Sequence, residues 1–492
     1  MTHSLVLLVV IPLIATPVCI LLHKRLLIWP VVFTVSWITF YIACDMMVTV
    51  RHGGEIYYYL GSWAAPWGIE YRLDSLNALV AVIVSGVNAL VITFARASIF
   101  QEIPEDRIYL FYCAYLLNLA GLLGVTVTGD VFNMFVFIEI SSLSSYAMIS
   151  LGKHRQALLA AYRYLIMGTI GATFILIGIG LLYAVTGTLN IQDLNTRLAA
   201  METSRTVITA GAFLTVGITL KFALFPLHSW LPNAYTYAPS VVSAFLAGTT
   251  TKVFIYVLLR FLFSIFGTGN MFDIVSLDKV LMICALLAIF SGSISAIYQN
   301  NIKKMLAYSS IAQIGYIVLG ISIGSVAGLT AGIIHLFNHA LMKTALFLCV
   351  ACIVYRTGKV SLKSLGGIGK AMPWTMAAFV VAGLSMIGVP LTVGFISKWY
   401  LILSALNQEA WWLALAILVG SLITIIYVWR VIETAWFSTP ASELRSGKIR
   451  EAPLSMLVPL WILVIANIYF GVDTGITAQM ARQSAELLMG MP

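Results

Sequence analysis

Fourteen stretches of mainly apolar residues divide this chain almost from end to end, at about 4–22, 27–50, 76–95, 108–127, 131–151, 162–186, 206–231, 239–266, 279–299, 304–323, 326–355, 373–405, 410–437 and 454–471. Each is close to the roughly 20 residues that a helix needs to cross a bilayer. The expected fold class is an all-α integral membrane protein with about fourteen transmembrane helices. Composition agrees, since 61% of residues are hydrophobic and 10% charged, whereas a soluble globule carries about 25% charged residues. Met1 to Leu22 begins a spanning segment with neither a basic leader nor a cleavage site behind a short apolar core, so the first helix is expected to stay in place.

The net charge of +9 does not point to nucleic acid, because the basic residues are spread over short loops instead of forming one patch. Counting loops alternately, one side holds Lys24, Arg25, Arg96, Arg107, Lys153, Arg155, Arg163, Lys303, Lys304, Arg356, Lys359, Lys363, Lys370, Arg445, Lys448 and Arg450. The other holds only Arg51, Arg72, Arg197, Arg205, Arg260, Lys279 and Arg482. The positive-inside rule makes the first side cytoplasmic, which puts both termini outside a cell inner (plasma) membrane. The six cysteines, Cys19, Cys44, Cys113, Cys284, Cys349 and Cys352, all fall in apolar helices. They support neither a disulfide framework nor a zinc loop, and the expectation is no bound metal and no cofactor.

Two spans are broken alike: Phe225-Pro226-Leu227 interrupts the seventh and Val389-Pro390-Leu391 the twelfth. The spans that follow also correspond, with Gly248, Lys252, Tyr256 and Arg260 in one and Gly420, Thr424, Tyr427 and Arg430 in the other. An offset of five spans is odd, so the second unit lies upside down relative to the first, a recurrent transporter plan. The expected divisions are 1–107 for helices 1–3, 108–277 for the first repeat of helices 4–8, 278–437 for the second repeat of helices 9–13, and 438–492 for helix 14 and the tail. Proline has no N–H, so Pro226 frees the carbonyl of Phe222 and Pro390 that of Met386, with Gly388 and Gly394 loosening the second break. At bilayer depth such groups must meet protein or line a cavity. A simple kink without ion traffic is the alternative.

Charges inside the spans carry the chemistry. A charge at bilayer depth costs about 2.5 to 3.5 kcal/mol even on the lenient insertion scale, so it persists only where water or a partner receives it. Glu139 lies roughly two turns into the fifth span and needs a cation. Lys221, five residues before Pro226, is the natural candidate, and Lys252 sits about halfway through the eighth span. At 4 Å and an effective dielectric near 20, such a pair is worth about 4 kcal/mol. Burial favours the neutral amine and a nearby carboxylate favours the ammonium, so moving Glu139 relative to Lys221 would switch the lysine's proton.

In the eleventh span His335, His339 and Lys343 recur every fourth residue and share a helical face, with Asn338 close by. A water-borne proton path, packing histidines and metal or haem ligation all remain readings of this stripe, although no carboxylate or cysteine shares the face for a metal. Lys398 stands two turns after Pro390 and either serves the path or snorkels to an interface. His228 would bridge Lys221 toward the cytoplasm or cap freed carbonyls. Asp45, Asp74, Asp130, Arg430 and Glu433 lie nearer span ends, where hydration explains them without transport.

Four stretches together resemble a known family: Phe225 to Pro232, Lys304 to Tyr316, His335 to Lys343, and Gly388 to Trp399. They are similar to the antiporter-like, proton-pumping membrane subunits shared by Mrp-type Na+/H+ antiporters, respiratory complex I and membrane-bound hydrogenases, and the likeness covers nearly the whole chain. The resemblance implies Glu139 and Lys221 as a modulating ion pair, Lys252 and His335 as central relay groups, and Lys398 as the terminal protonatable site. His228, His339, Lys343, Pro226 and Pro390 are supporting positions. The chain most resembles the D-type subunits of Mrp antiporters: it ends about 20 residues after the last span, without the long lateral helix of the largest subunits, and carries lysine at position 398 where one complex I homologue has glutamate.

The implied function is proton movement through half-channels joined by a central row of buried Lys, His and Glu, in exchange for Na+ or K+. The implied partners are Mrp A, B, C, E, F and G-like subunits within the lipid bilayer. The alternative is a proton-pumping subunit of a membrane-bound hydrogenase or a complex I-type NADH:quinone oxidoreductase. Two rivals of other classes are an electron-carrying subunit, for which the sequence offers no cofactor cage or nucleotide loop, and a scaffold whose charges pair only for assembly.

Overall fold

The computed structural model describes residues 3–22, 25–202, 204–267, 276–439 and 449–490. Lys24, Arg445 and Lys448, counted above with the basic loops, lie outside them. Among the described residues twelve helices are long and apolar enough to cross a membrane. The seventh and twelfth spans of the sequence reading are missing from that twelve because each is two shorter helices, and with them the spans number fourteen.

In chain order the elements are α1 (Ser4–Leu22), α2 (Arg25–Gly53), a hairpin of β1 (Ile56–Tyr59) and β2 (Glu70–Leu73), α3 (Ser75–Glu102), α4 (Ile108–Val127), α5 (Val131–Ser150), α6 (Arg155–Thr186) and a short α7 (Ile191–Ala199). The first broken span is α8 (Arg205–Lys221) and α9 (Leu231–Tyr237), followed by α10 (Ser240–Gly248) and α11 (Thr250–Leu259). Then come α12 (Leu277–Ile297), α13 (Ile302–Ser322), α14 (Val326–Thr357), the second broken span α15 (Pro373–Ile387) and α16 (Val393–Asn407), α17 (Trp411–Phe437), α18 (Leu454–Val472) and a terminal α19 (Gly475–Leu488).

The 28 residues of α3 make a strut of about 42 Å, and its two ends define two faces. At its start Asp74 caps the helix in a capping box with Asn77 and pairs with Arg260 at 2.5 Å. Tyr71 bridges Thr128, Ser75 meets Ser484, and Asn195 reaches the carbonyl of Ile265 on the same side. At its far end the Glu102 carboxylate accepts from the Ser240 N–H and hydroxyl and lies 4.0 Å from Lys303. Beyond Lys303, Ile302 donates to Val360, Leu362 to Asn300, and Arg430 to Ile297. The loops at this second face carry most of the basic residues of the described chain.

The inverted repeat is visible in matching loop clamps. Asp130, which caps α5, bridges Asn190, while Asn301, which caps α13, bridges Ser361, and each position follows its counterpart by 171 residues. The flanking bonds repeat in step: Val131 to Leu189 becomes Ile302 to Val360, and Ile191 to Gly129 becomes Leu362 to Asn300. One clamp sits at the Asp74 end and the other at the Glu102 end, so the two five-helix units run in opposite senses across the membrane.

The breaks arise from local chemistry. After Lys221 the chain leaves α8, and the Trp230 indole returns to the carbonyl of Leu220 at 2.9 Å. In the second break Gly388 has φ +95 and its N–H caps Leu384, while a Cβ there would stand 3.1 Å from the Lys398 side chain, so only glycine suits both demands. A third break occurs without proline: α10 stops at Gly248, and Thr249 has φ −120 and ψ −61 before α11 begins. A Cβ on Gly248 would overlap the Thr344 hydroxyl of α14 and crowd Val87 of α3. The bare Cα lets α10 lie against both.

Candidate functional site

The buried bases predicted from sequence converge on the interior between α5, α8, α11, α13, α14 and α16. Lys221, at the end of α8, is fully buried and donates to Glu139 Oε1 at 3.2 Å and to Ser142 Oγ at 2.9 Å, one turn apart on α5. Its ammonium also lies 5.8 Å from the Phe254 ring of α11. Glu139 keeps 25% side-chain exposure, so the pair is closed toward the interior and open toward the outside of the subunit.

Two residues before Phe254, Lys252 is fully buried and turns back across the break in its own span to the carbonyl of Ala247, with Thr251 Oγ1 at 3.5 Å. The break therefore supplies the acceptor, because an unbroken helix would have spent that carbonyl on its own ladder.

On α14, His335 bonds through Nδ1 to Ser397 Oγ at 2.8 Å and through Nε2 to Gln313 Oε1 at 3.1 Å. Its ring stacks parallel to that of His339 at 6.3 Å. Lys343 donates to the Leu306 carbonyl, to Ser309 Oγ and to Met386 Sδ. Lys398 donates to the carbonyls of Met386 and Ile387 at 3.0 and 2.9 Å, and its ammonium sits 4.9 Å from the Tyr316 ring. The Met386 carbonyl is the one expected from Pro390. Lys398 is 5% exposed, which rules out snorkelling.

His228 does not meet Lys221. It is half-buried, stacks on Phe225 at 5.2 Å, and its Nδ1 has no partner among the described residues. The exposed faces of Pro226 and Ser229, and of Pro390 and Leu391, bring both breaks to the outside of the subunit.

Several polar atoms on the helices that carry or adjoin these bases are buried without a protein partner among the described residues, among them both ring nitrogens of His339, Gln313 Nε2, Thr250 Oγ1 and the Asn88 amide. Buried polar groups in native proteins are satisfied by protein or by water, and Gln313 and His339 are the ones that adjoin His335. The four central lysines, Lys221, Lys252, Lys343 and Lys398, share one carboxylate, Glu139, among the described residues.

The neutral partners Ser142, Gln313, Ser309 and Ser397 escaped sequence reasoning, since serine and glutamine in a membrane helix carry no signal of their own. So did the weight of Arg260. Counted with the loops, it is 5% exposed and continues a stripe on α11: Tyr256 Oη accepts from Arg260 Nε at 3.1 Å and donates to the Thr126 carbonyl at 2.8 Å. The four-residue spacing of Lys252, Tyr256 and Arg260 was the available clue.

A nearly all-helical chain with paired broken helices and a buried row of bases has the build of an ion-translocating membrane subunit, and comparison with known proteins gives the family. Residues 128–424 match the family described as NADH:quinone oxidoreductase/Mrp antiporter, TM, and the chain belongs to that family. It is 43% identical over 439 residues to the N-type subunit of the NADH-quinone oxidoreductase of Desulforudis audaxviator, covering 87% of each chain. It is 30% identical over 453 residues to the D-type subunit of the Na+/H+ antiporter of Alkalihalophilus pseudofirmus, covering 92% of this chain and 89% of the relative. Among solved structures, a chain of the Mrp complex from Dietzia sp. superposes with a TM-score of 0.91 at 25% identity, covering 99% and 97%. A chain of the archaeal membrane-bound sulfane sulfur reductase matches with the same TM-score at 30% identity, covering 99% and 98%.

Proposed function

We propose that this chain is the proton-translocating subunit of a multisubunit monovalent cation/proton antiporter of the Mrp type. The observation that carries the reading is the Glu139–Lys221 pair at 3.2 Å, continued by Lys252, His335 and Lys398 through an interior with unsatisfied polar atoms. A proton leaving Lys221 makes the Glu139 charge available to another cation, and the row passes the change onward without covalent chemistry. Moving one elementary charge across 100 mV is worth about 2.3 kcal/mol, comparable to one such rearrangement. The D-type antiporter relatives and the Mrp complex chain support the antiporter assignment over nearly the full length.

The face rich in Lys and Arg is the cytoplasmic one in this reading, with both termini outside the plasma membrane. The repeats are 108–277 and 278–437. Neighbouring subunits, Mrp A, B, C, E, F and G-like, have a physical reason to be there: the 25% exposure of the Glu139 side chain and the exposed breaks at Pro226 and Pro390 lie at bilayer depth. Lipid cannot satisfy such groups.

A second reading, a proton-pumping subunit of a redox-driven complex, draws on the 43% identity to the N-type subunit of a NADH-quinone oxidoreductase and on the sulfane sulfur reductase chain. Na+-dependent proton exchange in vesicles from an antiporter-deficient strain expressing the whole gene cluster separates the two. Exchange in the wild type that is lost in Lys221→Ala at equal complex levels supports the antiporter. A wild type indifferent to Na+ and K+ would move the assignment to the redox-driven class.

A further inference from the structure

The clamp at each face encloses a pocket beside an arginine, and the inverted repeat makes the two pockets counterparts. Asn300, Leu362 and Lys363 in one occupy the places of Gly129, Ile191 and Gln192 in the other, and Arg430 takes the place of Arg260. They end differently. The Arg260 pocket is about 20 Å³, and its cation is neutralised by Asp74, which is 1% exposed. The Arg430 pocket is about 290 Å³ and is lined by Asn300, Lys363, Arg430, Thr434, Ser438 and Thr439, with no carboxylate among the described residues.

Arg430 donates through Nη1 to the carbonyls of Ile297 and Gln299 and through Nη2 to Asn300 Oδ1. All three acceptors are neutral, so the guanidinium has no counter-ion among the described residues, and of its five donors two remain. Lys363 is exposed at the rim and likewise makes no ion pair among the described residues. Two cations, an amide and hydroxyls around such a volume are the donor set that recognises a phosphate group. Tyr298 and Phe437, 77% and 75% exposed at the ends of α12 and α17, mark the level where aromatic side chains meet lipid headgroups.

We infer that this pocket binds a phosphate group, supplied by the headgroup of an anionic phospholipid. Basic recesses between transmembrane helices are suited to that role. The ligand does for Arg430 what Asp74 does for Arg260: it neutralises the cation beside the clamp. None of these residues belongs to the translocating row, so the inference stands apart from the antiport reading.

The test uses the whole complex in nanodiscs with a phosphatidylglycerol whose photoreactive label sits at the headgroup. Adducts in residues 431–439 are quantified against adducts elsewhere in the chain. Lys363→Gln should lower the pocket adduct about fivefold, and Lys363→Glu further, with adducts elsewhere unchanged. These rim variants leave the Arg430 contacts with α12 intact, so a folding defect in Arg430→Gln does not decide the matter. Excess unlabelled phosphatidylglycerol, but not phosphatidylcholine or inorganic phosphate, should displace the adduct. Displacement by inorganic phosphate would keep the phosphate site and assign it to the free ion. An adduct absent from 431–439, or one indifferent to Lys363 and to every competitor, would overturn the inference.

Discussion

The two inverted repeats share a backbone plan and differ in how they treat a buried cation. In the first, Lys221 meets Glu139 and Arg260 meets Asp74, and only Lys252 rests on a neutral carbonyl. In the second, Lys343, Lys398 and Arg430 rest on carbonyls, a hydroxyl, a thioether and an amide, with no ion pair among the described residues. Counterpart positions tell the same story: Asp130 is answered by Asn301 and Glu139, 171 residues on, by Ser310. A cation tied to a carboxylate cannot give up its proton without stranding an anion, whereas one resting on neutral acceptors can. Charge is thus held at Lys221 and Arg260 of the first repeat, and the lysines placed to release a proton are those on neutral acceptors, Lys252 in the first repeat and Lys343 and Lys398 in the second.

The largest effect expected from that contrast is on stability. Arg260→Met strands the Asp74 carboxylate in a buried site, which costs about 3 to 5 kcal/mol, and adding Asp74→Asn, which removes the charge and keeps the cap of α3, should recover most of it. Arg430→Met loses three bonds to neutral acceptors, about 0.5 to 1.5 kcal/mol each at most, and strands no charge. Thermal unfolding of the purified complex measures both. Equal losses for the two arginines would break the comparison.

The central lysines extend it to transport. Lys221→Met should both destabilise the subunit and abolish exchange, because Glu139 is left uncompensated, and adding Glu139→Gln should restore stability but not exchange. Lys398→Met leaves behind only carbonyls that end a helix, so its stability should stay within about 1 kcal/mol of wild type while exchange falls by tenfold or more, about 1.4 kcal/mol of barrier. Vesicle exchange normalised to complex level, read beside unfolding midpoints, separates the outcomes. A Lys398→Met protein that exchanges protons normally would remove Lys398 from the row.

Much of this was legible in the sequence, for physical reasons. Apolar runs, two Pro-centred breaks and a glutamate facing a lysine are costly features at bilayer depth, and cost leaves a pattern. The break at Thr249 was hidden because it uses Gly248 and a threonine run in place of proline, and its role rests on a close approach to Val87 and Thr344 that lies far away in sequence. The Asp74–Arg260 pair spans 186 positions, and each partner alone looked like an ordinary residue at a span end. His228 sat inside the most distinctive motif yet does not meet Lys221: its ring stacks on Phe225, and the Lys221 ammonium turns to Glu139 and Ser142.

The smallest effects concern the neutral partners. Ser142 and Ser397 each make one bond to a central base, at 2.9 Å to Lys221 and 2.8 Å to His335. A single neutral hydrogen bond contributes about 0.5 to 1.5 kcal/mol, so neither Ser142→Ala nor Ser397→Ala should unfold the subunit. Their effects on exchange should still differ. Lys221 without Ser142 keeps Glu139, which fixes its position and charge, and exchange should fall no more than about threefold, the lower end of that range. His335 without Ser397 retains only Gln313, and a ring held at one nitrogen can rotate away from the Lys398 side of the row. Ser397→Ala should therefore slow exchange by about tenfold, the upper end of the same range, and more than Ser142→Ala in the same vesicles. The reverse order would mean that the carboxylate does not fix Lys221, and the division between held and released charge would fail at the pair that defines it.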